Sequence, residues 1–371
     1  MRLLSTRNRV LWVNSIGLRK PRLGGRDVKR VFGKLKSFAA GLEKIHDNLY
    51  VFTPVVIPFH RARIVRLINA EILKTFLAYY TKKLGLRNTV FWSYLPNVGY
   101  IFRRLKAQVI VYHCVDEWSK FSFIDDNIVE EEWDLCRMAD LVIASARSLY
   151  ESRKPHNNNT HYISHGVDYR FFHNARLKDL PIPEDMTTIS RPIAGFFGLI
   201  HEWIDLDLLE FVIKDNPGIN FVFIGQCSVD VNRLATHKNA YFLGQKKYGD
   251  LLAYARHFDV GLIPFKVNDL TINVNPIKLK EYLALGIPVV SVDLPETGFY
   301  RNVVRIAGDY DAFSHALRDE VSGKHVASAE EIDLVARNET WDQKVEEISA
   351  LFEATDKHWA SSEKHLSPKH C

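Results

Sequence analysis

Short runs rich in β-branched and aromatic residues alternate along this chain with longer amphipathic stretches. Arg9–Asn14 (RVLWVN) reads as a strand, as do Leu49–Val55, Thr89–Ser93, Gln108–His113, Leu141–Ala144 and His161–Ser164. The apolar spacing between them predicts helices over Arg61–Lys83, Glu130–Ala139 and Ser145–Ser152. Continuous apolar strands separated by helices belong to a parallel sheet covered on both faces. Leu180–Pro192 carries three prolines and little periodicity, so a linker is expected over 181–192. A second series follows. It has strands at Ile193–Phe197, Phe221–Ile224, Ala240–Leu243, Val260–Pro264 and Pro288–Val292. Its helices are Asp205–Lys214, Tyr248–Arg256 and Ile277–Leu285, before a long terminal helical region over Ala329–Phe352.

The pattern therefore predicts an α/β protein with two Rossmann-like domains facing a cleft: 1–180, then 193–328, then a helical region and tail over 329–371. Strand carboxyl ends and helix N-termini line such clefts and favour phosphate. No GxGxxG follows a strand, so nothing local points to a nicotinamide cofactor. The length, 371 residues, suits two domains of roughly 100–200 residues each. Apolar residues are 47% and charged residues 25%, which excludes a mainly disordered chain. No apolar run of ~18 residues exists to cross a membrane as a helix. Four scattered cysteines, Cys114, Cys136, Cys227 and Cys371, make neither a disulfide framework nor a zinc site and read as reduced thiols of a cytosolic protein. Arg7 and Arg9 interrupt what would be the apolar part of a signal peptide.

The net charge of +5 hides an asymmetry. Residues 1–110 hold 22 Lys and Arg against 4 Asp and Glu, whereas residues 111–371 hold 27 against 40. The amino-terminal part is a cationic module whose partner is expected to be anionic. Arg61–Lys83 reads as a basic amphipathic helix, with Val65, Ile68, Ile72, Phe76 and Tyr79/Tyr80 apolar and Arg61, Arg63, Arg66, Lys74, Lys82 and Lys83 on other faces. It suits an anionic membrane surface or, more blandly, a domain helix with a solvated basic face. Arg19–Lys36 adds a second cationic stretch containing Gly24 and Gly25.

The segment INVNPIKLKEYLALGIPVV, from Ile272 to Val290, carries the most information. Pro276 fits a first helical turn, and Gly286 with Pro288 ends the helix. Lys278 and Glu281 then share a face. A cation at a helix N-terminus suits a diphosphate, and a carboxylate one turn on suits paired ribose hydroxyls. An ordinary i,i+3 salt bridge is the alternative. In VYHCVDEW, His113 and Asp116 follow a strand, and Asp116 can act as a base or cap the next helix. Glu117 could replace Asp116. In GLIHEWID, Gly198 allows close backbone approach, His201 is a phosphate or sugar donor or an incidental loop residue, and Asp205 can cap a helix.

Glu281–Val290, with Phe197-Gly198 and His165–Asp168 (HGVD), resembles the GT-B glycosyltransferases, specifically the family-4/family-1-like bacterial enzymes of surface polysaccharides. The resemblance covers about residues 9–355. It implies a nucleotide-sugar site at Lys278, Glu281, Asn273, Asn275 and Gly198, a linker-proximal loop at His165 and Asp168, and a base-holding loop at Leu243–Asp250. Leu243 and Tyr248 of that loop lie near Gly225. The chain departs from the family pattern at Asn273, which stands where the first of two glutamates is usual, and at Leu199 and Ile204, where two phosphate cations are usual. Lys278, with His201, would carry more of that charge, as in the branch typified by xanthan-type glucuronosyltransferases and teichuronic-acid transferases. In similar enzymes a strand and helix precede the segment matching Arg9–Asn14, so the usual first strand is expected to be missing here.

The expected activity is a metal-independent glycosyltransferase taking a nucleotide sugar, UDP-linked by the commonest guess, with no cofactor. Asp116 and His113 would serve the reaction, and Glu117, His165, Asp168, Gly24 and Gly25 the acceptor side. The acceptor would be a lipid-linked or saccharide molecule, at the inner face of a membrane and without nucleic acid. A GT-B nucleotide-sugar epimerase and a non-catalytic membrane- or nucleic-acid-binding protein are the competing readings.

Overall fold

A computed structural model describes residues 1–15, 41–57, 63–105, 109–122, 124, 127–177 and 180–355. The chain forms two compact units, Met1–Ile163 with Val345–Cys371, and Ser164–Lys344. The expected linker over 181–192 falls inside the second unit, and the terminal helical region is divided between the two. The reason is local. Phe172, Ala175, Met186 and Ile189 all pack into the second unit's core, so the proline-rich stretch is anchored on both sides.

In the first unit, β1 (Val10–Val13), β2 (Leu42–His46) and β3 (Leu49–Phe52) form a three-stranded sheet, ordered β1-β3-β2. The RVLWVN segment itself supplies the strand that runs parallel to β3. β2 joins antiparallel, and its mostly exposed LEKIH sequence gave no apolar signal. After α1 (Arg63–Lys83), a four-stranded parallel sheet holds β4 (Val90–Ser93), β5 (Val109–Cys114), β6 (Leu141–Ala144) and β7 (Thr160–Tyr162) in that order. Between these lie α2 (Gly99–Phe102), α3 (Ile128–Met138) and α4 (Arg147–Arg153). Alternation along β5 sorts the faces. Tyr112 and Cys114 pack with Leu135, Cys136 and Leu149 of α3 and α4. Val109 and Val111 pack with Ile348 and Phe352 of the C-terminal helix, Trp341–Thr355. That helix therefore seals a sheet formed by strands far earlier in the sequence.

The second unit is a six-stranded, wholly parallel sheet. Its strands are β8 (Ile193–Phe197), β9 (Asn220–Ile224), β10 (Ala240–Phe242), β11 (Val260–Ile263), β12 (Val289–Val292) and β13 (Arg305–Ala307). Their order is β10-β9-β8-β11-β12-β13, so the direction of winding reverses between β8 and β11. Helices α5 (Tyr169–Leu177), α6 (Leu206–Asp215), α7 (Asn232–Ala235), α8 (Leu251–Ala255), α9 (Ile277–Leu285), α10 (Tyr310–Val321) and α11 (Ala329–Arg337) complete it. Residues Leu279–Leu285 of α9 are all buried, which explains why a string of nine residues is so apolar and so constrained. Gly286 closes α9 in the left-handed region, φ 70°, as its sequence position predicts.

Each unit contains a buried ionic knot. In the first, the Arg153 guanidinium donates to Glu132 at 2.9 and 3.1 Å and to Glu117 at 2.6 Å, while the Tyr112 hydroxyl donates to Glu132 at 2.6 Å. Desolvation raises the Glu132 carboxyl pKa and the Arg153 charge opposes it. Removing one partner of such a pair leaves the other charge buried and uncompensated. Arg153→Met is expected to lower the stability of the first unit by about 3 kcal/mol. Urea unfolding followed by circular dichroism measures this, and an unchanged midpoint would show the knot to be dispensable.

Candidate active site

In doubly wound sheets, ligands bind outside the strand carboxyl ends where the winding reverses. In the second unit that place is the end of β8 and β11. Gly198 follows β8 and Gly225 follows β9, with φ 147° and 152°. A Cβ on Gly225 would come within 1.8 Å of the Gly198 carbonyl oxygen, so only glycine fits. The loop after β8 is laced to its neighbours. Ile200 N–H donates to the Gln226 carbonyl at 3.0 Å, and Asp205 N–H donates to the Pro264 carbonyl at 2.9 Å. Asp205 also caps α6, accepting from the Asp207 and Leu208 N–H groups. His201 stacks on Trp203 with ring centres 4.3 Å apart, and its Nδ1 is buried with no partner among the described residues.

Lys278 sits over this loop. Its ammonium lies 5.0 Å from the Phe197 ring centre, and its Cε would be 3.1 Å from a Cβ on Gly198. It donates to Glu281 Oε2 at 2.8 Å. The i,i+3 salt bridge is thus real, but Glu281 is buried and the pair is no surface ornament. Desolvation raises the Glu281 pKa, opposed by Lys278. Tyr248 stacks on Phe171 at 4.8 Å and 8°, and its phenol is pushed up to about 12 by burial and then by the charges of Glu281 and Asp168. Asp168 itself accepts the Phe171 N–H at 3.1 Å. Leu243 is held by its backbone, donating its N–H to the Phe223 carbonyl at 2.9 Å.

Two expected donor residues are otherwise engaged. The Asn273 amide donates to the Asp269 carbonyl at 2.8 Å. Asn275 is buried and donates to Glu296 at 2.6 Å, leaving its Oδ1 without a partner among the described residues. His165 is half-buried beside Lys280. Desolvation and then that charge push its pKa down to about 4, so it is neutral near pH 7.

The first unit has its own cluster of candidates at the end of β5. His113 is buried against Tyr94, 5.0 Å away, and Trp92, 5.9 Å away. Two residues past Cys114, the last of β5, desolvation pushes the Asp116 carboxyl up to about 7. No side-chain cap closes the following turn or α3, so the helix-cap reading of Asp116 is not realised. Glu117, the alternative base, is bonded to Arg153 at 2.6 Å. Desolvation raises its pKa, but the Arg153 bond and charge outweigh that and leave it below the ordinary value. Gly24 and Gly25 lie outside the described residues.

No family model matches the chain. TuaH of Bacillus subtilis (strain 168), whose assignment as a teichuronic acid biosynthesis glycosyltransferase is itself provisional, is 22% identical over 306 residues, spanning 78% of this chain and 73% of TuaH. Among solved structures, sucrose-phosphate synthase from Thermosynechococcus elongatus matches with a TM-score of 0.66 and 14% identity, over 95% of this chain and 100% of that one. Anabaena HepE in complex with UDP and glucose matches with a TM-score of 0.61 and 14% identity, over 97% and 100%.

The chain has the GT-B fold. The α/β class and the resemblance read from Glu281–Val290 both hold, and relative and structural neighbours alike belong to one class of enzyme, the glycosyltransferases. Within this GT-B chain, sequence reasoning missed Lys280, Arg153 and Phe171. Lys280 was legible as a lysine that α9's apolar string forces inward. Arg153 and Phe171 gave no local signal, since their partners lie far off in sequence.

The Asp116 pKa has a stability consequence. The folded value, about 7, lies above the unfolded 3.8. Its favourable contribution is full below pH 3.8 and is lost as pH rises through about 7. Asp116→Asn should therefore raise Tm relative to the parent at pH 8, with the gain shrinking to nothing near pH 4. Thermal scans at both pH values check this, and an equal difference at both would refute the buried-carboxyl reading.

Proposed function

We propose that this protein is a glycosyltransferase that moves a sugar from a nucleoside diphosphate to a lipid-linked or saccharide acceptor in surface polysaccharide biosynthesis. The observation that carries the reading is the Lys278–Glu281 pair, 2.8 Å apart, over a glycine-walled loop at the switch point of the second unit. UDP is the preferred nucleotide because HepE was solved with it. Lys278 faces the diphosphate and stabilises the charge that grows on it as the bond to the anomeric carbon breaks. Glu281 turns its carboxylate to the ribose hydroxyls. In the first unit, Asp116 takes the proton of the acceptor hydroxyl, whose oxygen forms the new bond to the anomeric carbon. A carboxyl near pKa 7 is well matched to that task at neutral pH. His113, caged by Trp92 and Tyr94, fixes the end of β5 from which the Asp116 loop departs.

Three preparations test this. Wild type should transfer sugar from a UDP-sugar to an acceptor glycan, with an acid limb in kcat/KM near pH 7. Lys278→Ala should lose UDP binding by calorimetry. Asp116→Asn should keep UDP binding but lose transfer by about 100-fold or more. Unchanged UDP affinity in Lys278→Ala would sink the donor assignment, and unchanged transfer in Asp116→Asn would sink the base.

The same reading places the protein on the inner face of a membrane. Among the described residues no helix is long and apolar enough to cross one. On α1, Ile72 and Phe76 are part-buried and Tyr80 is buried, whereas Ile64, Leu67 and Ile68 remain exposed near its start and Tyr79 near its end, beside Lys82 and Lys83. The cationic face is thinner than its sequence suggests, because Arg66 pairs with Glu131, and Lys74 and Arg104 with Glu71. Apolar residues together with lysines that make no ion pair among the described residues favour an anionic lipid surface, at about 1 kcal/mol per cation. Liposomes containing phosphatidylglycerol should retain the protein and purely zwitterionic ones should not. Equal retention, or none, contradicts this part of the reading.

A further inference from the structure

The first unit carries a row of aromatic rings at the carboxyl edge of its strands. Trp12 of β1 contacts Tyr94, just past β4, at 6.1 Å between ring centres. Tyr94 in turn contacts Trp92 at 6.3 Å and His113 of β5 at 5.0 Å. The outermost ring, Trp12, is 37% exposed, and its indole N–H is fixed by donation to Asn14 Oδ1 at 3.0 Å. An indole that folding could have buried is instead left open at one face, at a cost in unburied apolar area. Inward of it the Trp92 indole N–H is buried with no acceptor among the described residues, and so is that of Trp118. Buried indole N–H groups normally find a partner. One of these two lies in the aromatic row, and the other stands two residues past Asp116.

We infer that this row is a saccharide subsite: one face of an acceptor pyranose packs on Trp12, and its reacting hydroxyl points along the row towards Asp116. The inference rests on the reading of Asp116 as the base, and it names the class of molecule that the first unit accepts. The C–H face of a pyranose is apolar and weakly positive, which complements the negative face of an indole ring. Inward of Trp12 and Tyr94, the Trp92 ring packs against Phe352 at 5.6 Å, which holds the row in place beneath the sugar. An acyclic polyol phosphate offers no such face, so the subsite selects a ring sugar.

Saturation-transfer NMR on the UDP-saturated protein tests this with a panel of methyl pyranosides, and with glycerol 1-phosphate as the acyclic control. At least one pyranoside should receive saturation on its ring C–H protons, and glycerol 1-phosphate should not. Trp12→Leu keeps apolar volume but removes the ring, and should weaken that pyranoside by about tenfold. Trp12→Phe should restore most of the binding. UDP affinity by calorimetry should be the same in all three proteins, and an unchanged urea midpoint followed by circular dichroism shows that the first unit, which holds Trp12, is folded in each. Undiminished saturation transfer in Trp12→Leu, or a preference for glycerol 1-phosphate, overturns the subsite. Absence of UDP binding in the parent would instead overturn the donor reading and leave this one to be judged on the apo protein by the same pyranoside signals.

Discussion

The second unit depends on one buried ammonium. Lys280, 1% exposed, donates to the Ser164 hydroxyl at 3.0 Å, to the His165 carbonyl and to Glu339 at 2.9 Å. Ser164 is where the chain enters the unit, and Glu339 lies just before it leaves. The two passages also touch directly. Val167 N–H donates to the Glu339 carbonyl at 2.7 Å, and Trp341 N–H to the Val167 carbonyl at 3.2 Å. Lys280 thus ties entry and exit to α9. Desolvation depresses its pKa, while Glu339 opposes that shift. The helix period does the rest. Lys278 and Glu281 fall on one side of α9 and Lys280, two residues from Lys278, on another. One face is pinned by a buried charge so that the other can present a charge in a fixed place.

The first unit sorts its carboxylates by the same physics. Asp116 and Glu117 are adjacent in sequence, yet their acidities move in opposite directions. Glu117 lies in the reach of Arg153 and is held ionised by it. Asp116 receives desolvation without a compensating cation and rises to about 7. Environments that separate neighbouring carboxyls in this way assign them different chemistry. The Arg153 knot therefore does more than hold α4 against β5, since it keeps Glu117 ionised and sets it apart from Asp116, the base of the proposed reaction.

Much of this was legible where the apolar period is strong and the contacts are local. Ile193–Phe197 and Ile277–Leu285 match their expected bounds, because the first is buried throughout, the second from Leu279 on, and each ends on a residue with a fixed backbone role, Gly198 and Gly286. Legibility failed where partners are distant. β2 owes its place to pairing with β3, and its own side chains are exposed. The proline-rich stretch before β8 looked like a linker because periodicity cannot reveal that Met186 and Ile189 reach a core assembled from later strands. The terminal helical region read as continuous, yet α11 stops at Arg337, and Glu339–Trp341 runs extended against Val167. Gly166 allows that approach, since a Cβ there would fall 2.5 Å from the Trp341 nitrogen.

The charge arithmetic of the proposed donor site follows from these constraints. Lys278 and Glu281 cancel, so the empty pair is neutral, and a diphosphate would bring negative charge to a place where Leu199 and Ile204 contribute none. Ile204 cannot be recruited, being buried and bridged to Phe265. In the proposed site positive character comes from what remains: the Lys278 ammonium once Glu281 turns to the ribose, and the N-terminus of α9, whose dipole points the same way. This makes the ribose contact a condition of the phosphate contact. A ligand lacking the nucleoside would leave Glu281 on Lys278 and meet a site without net charge, whereas a complete nucleotide releases the cation that binds it. In the proposed donor site, selectivity for the nucleotide over free diphosphate would thus rest on a single helical turn.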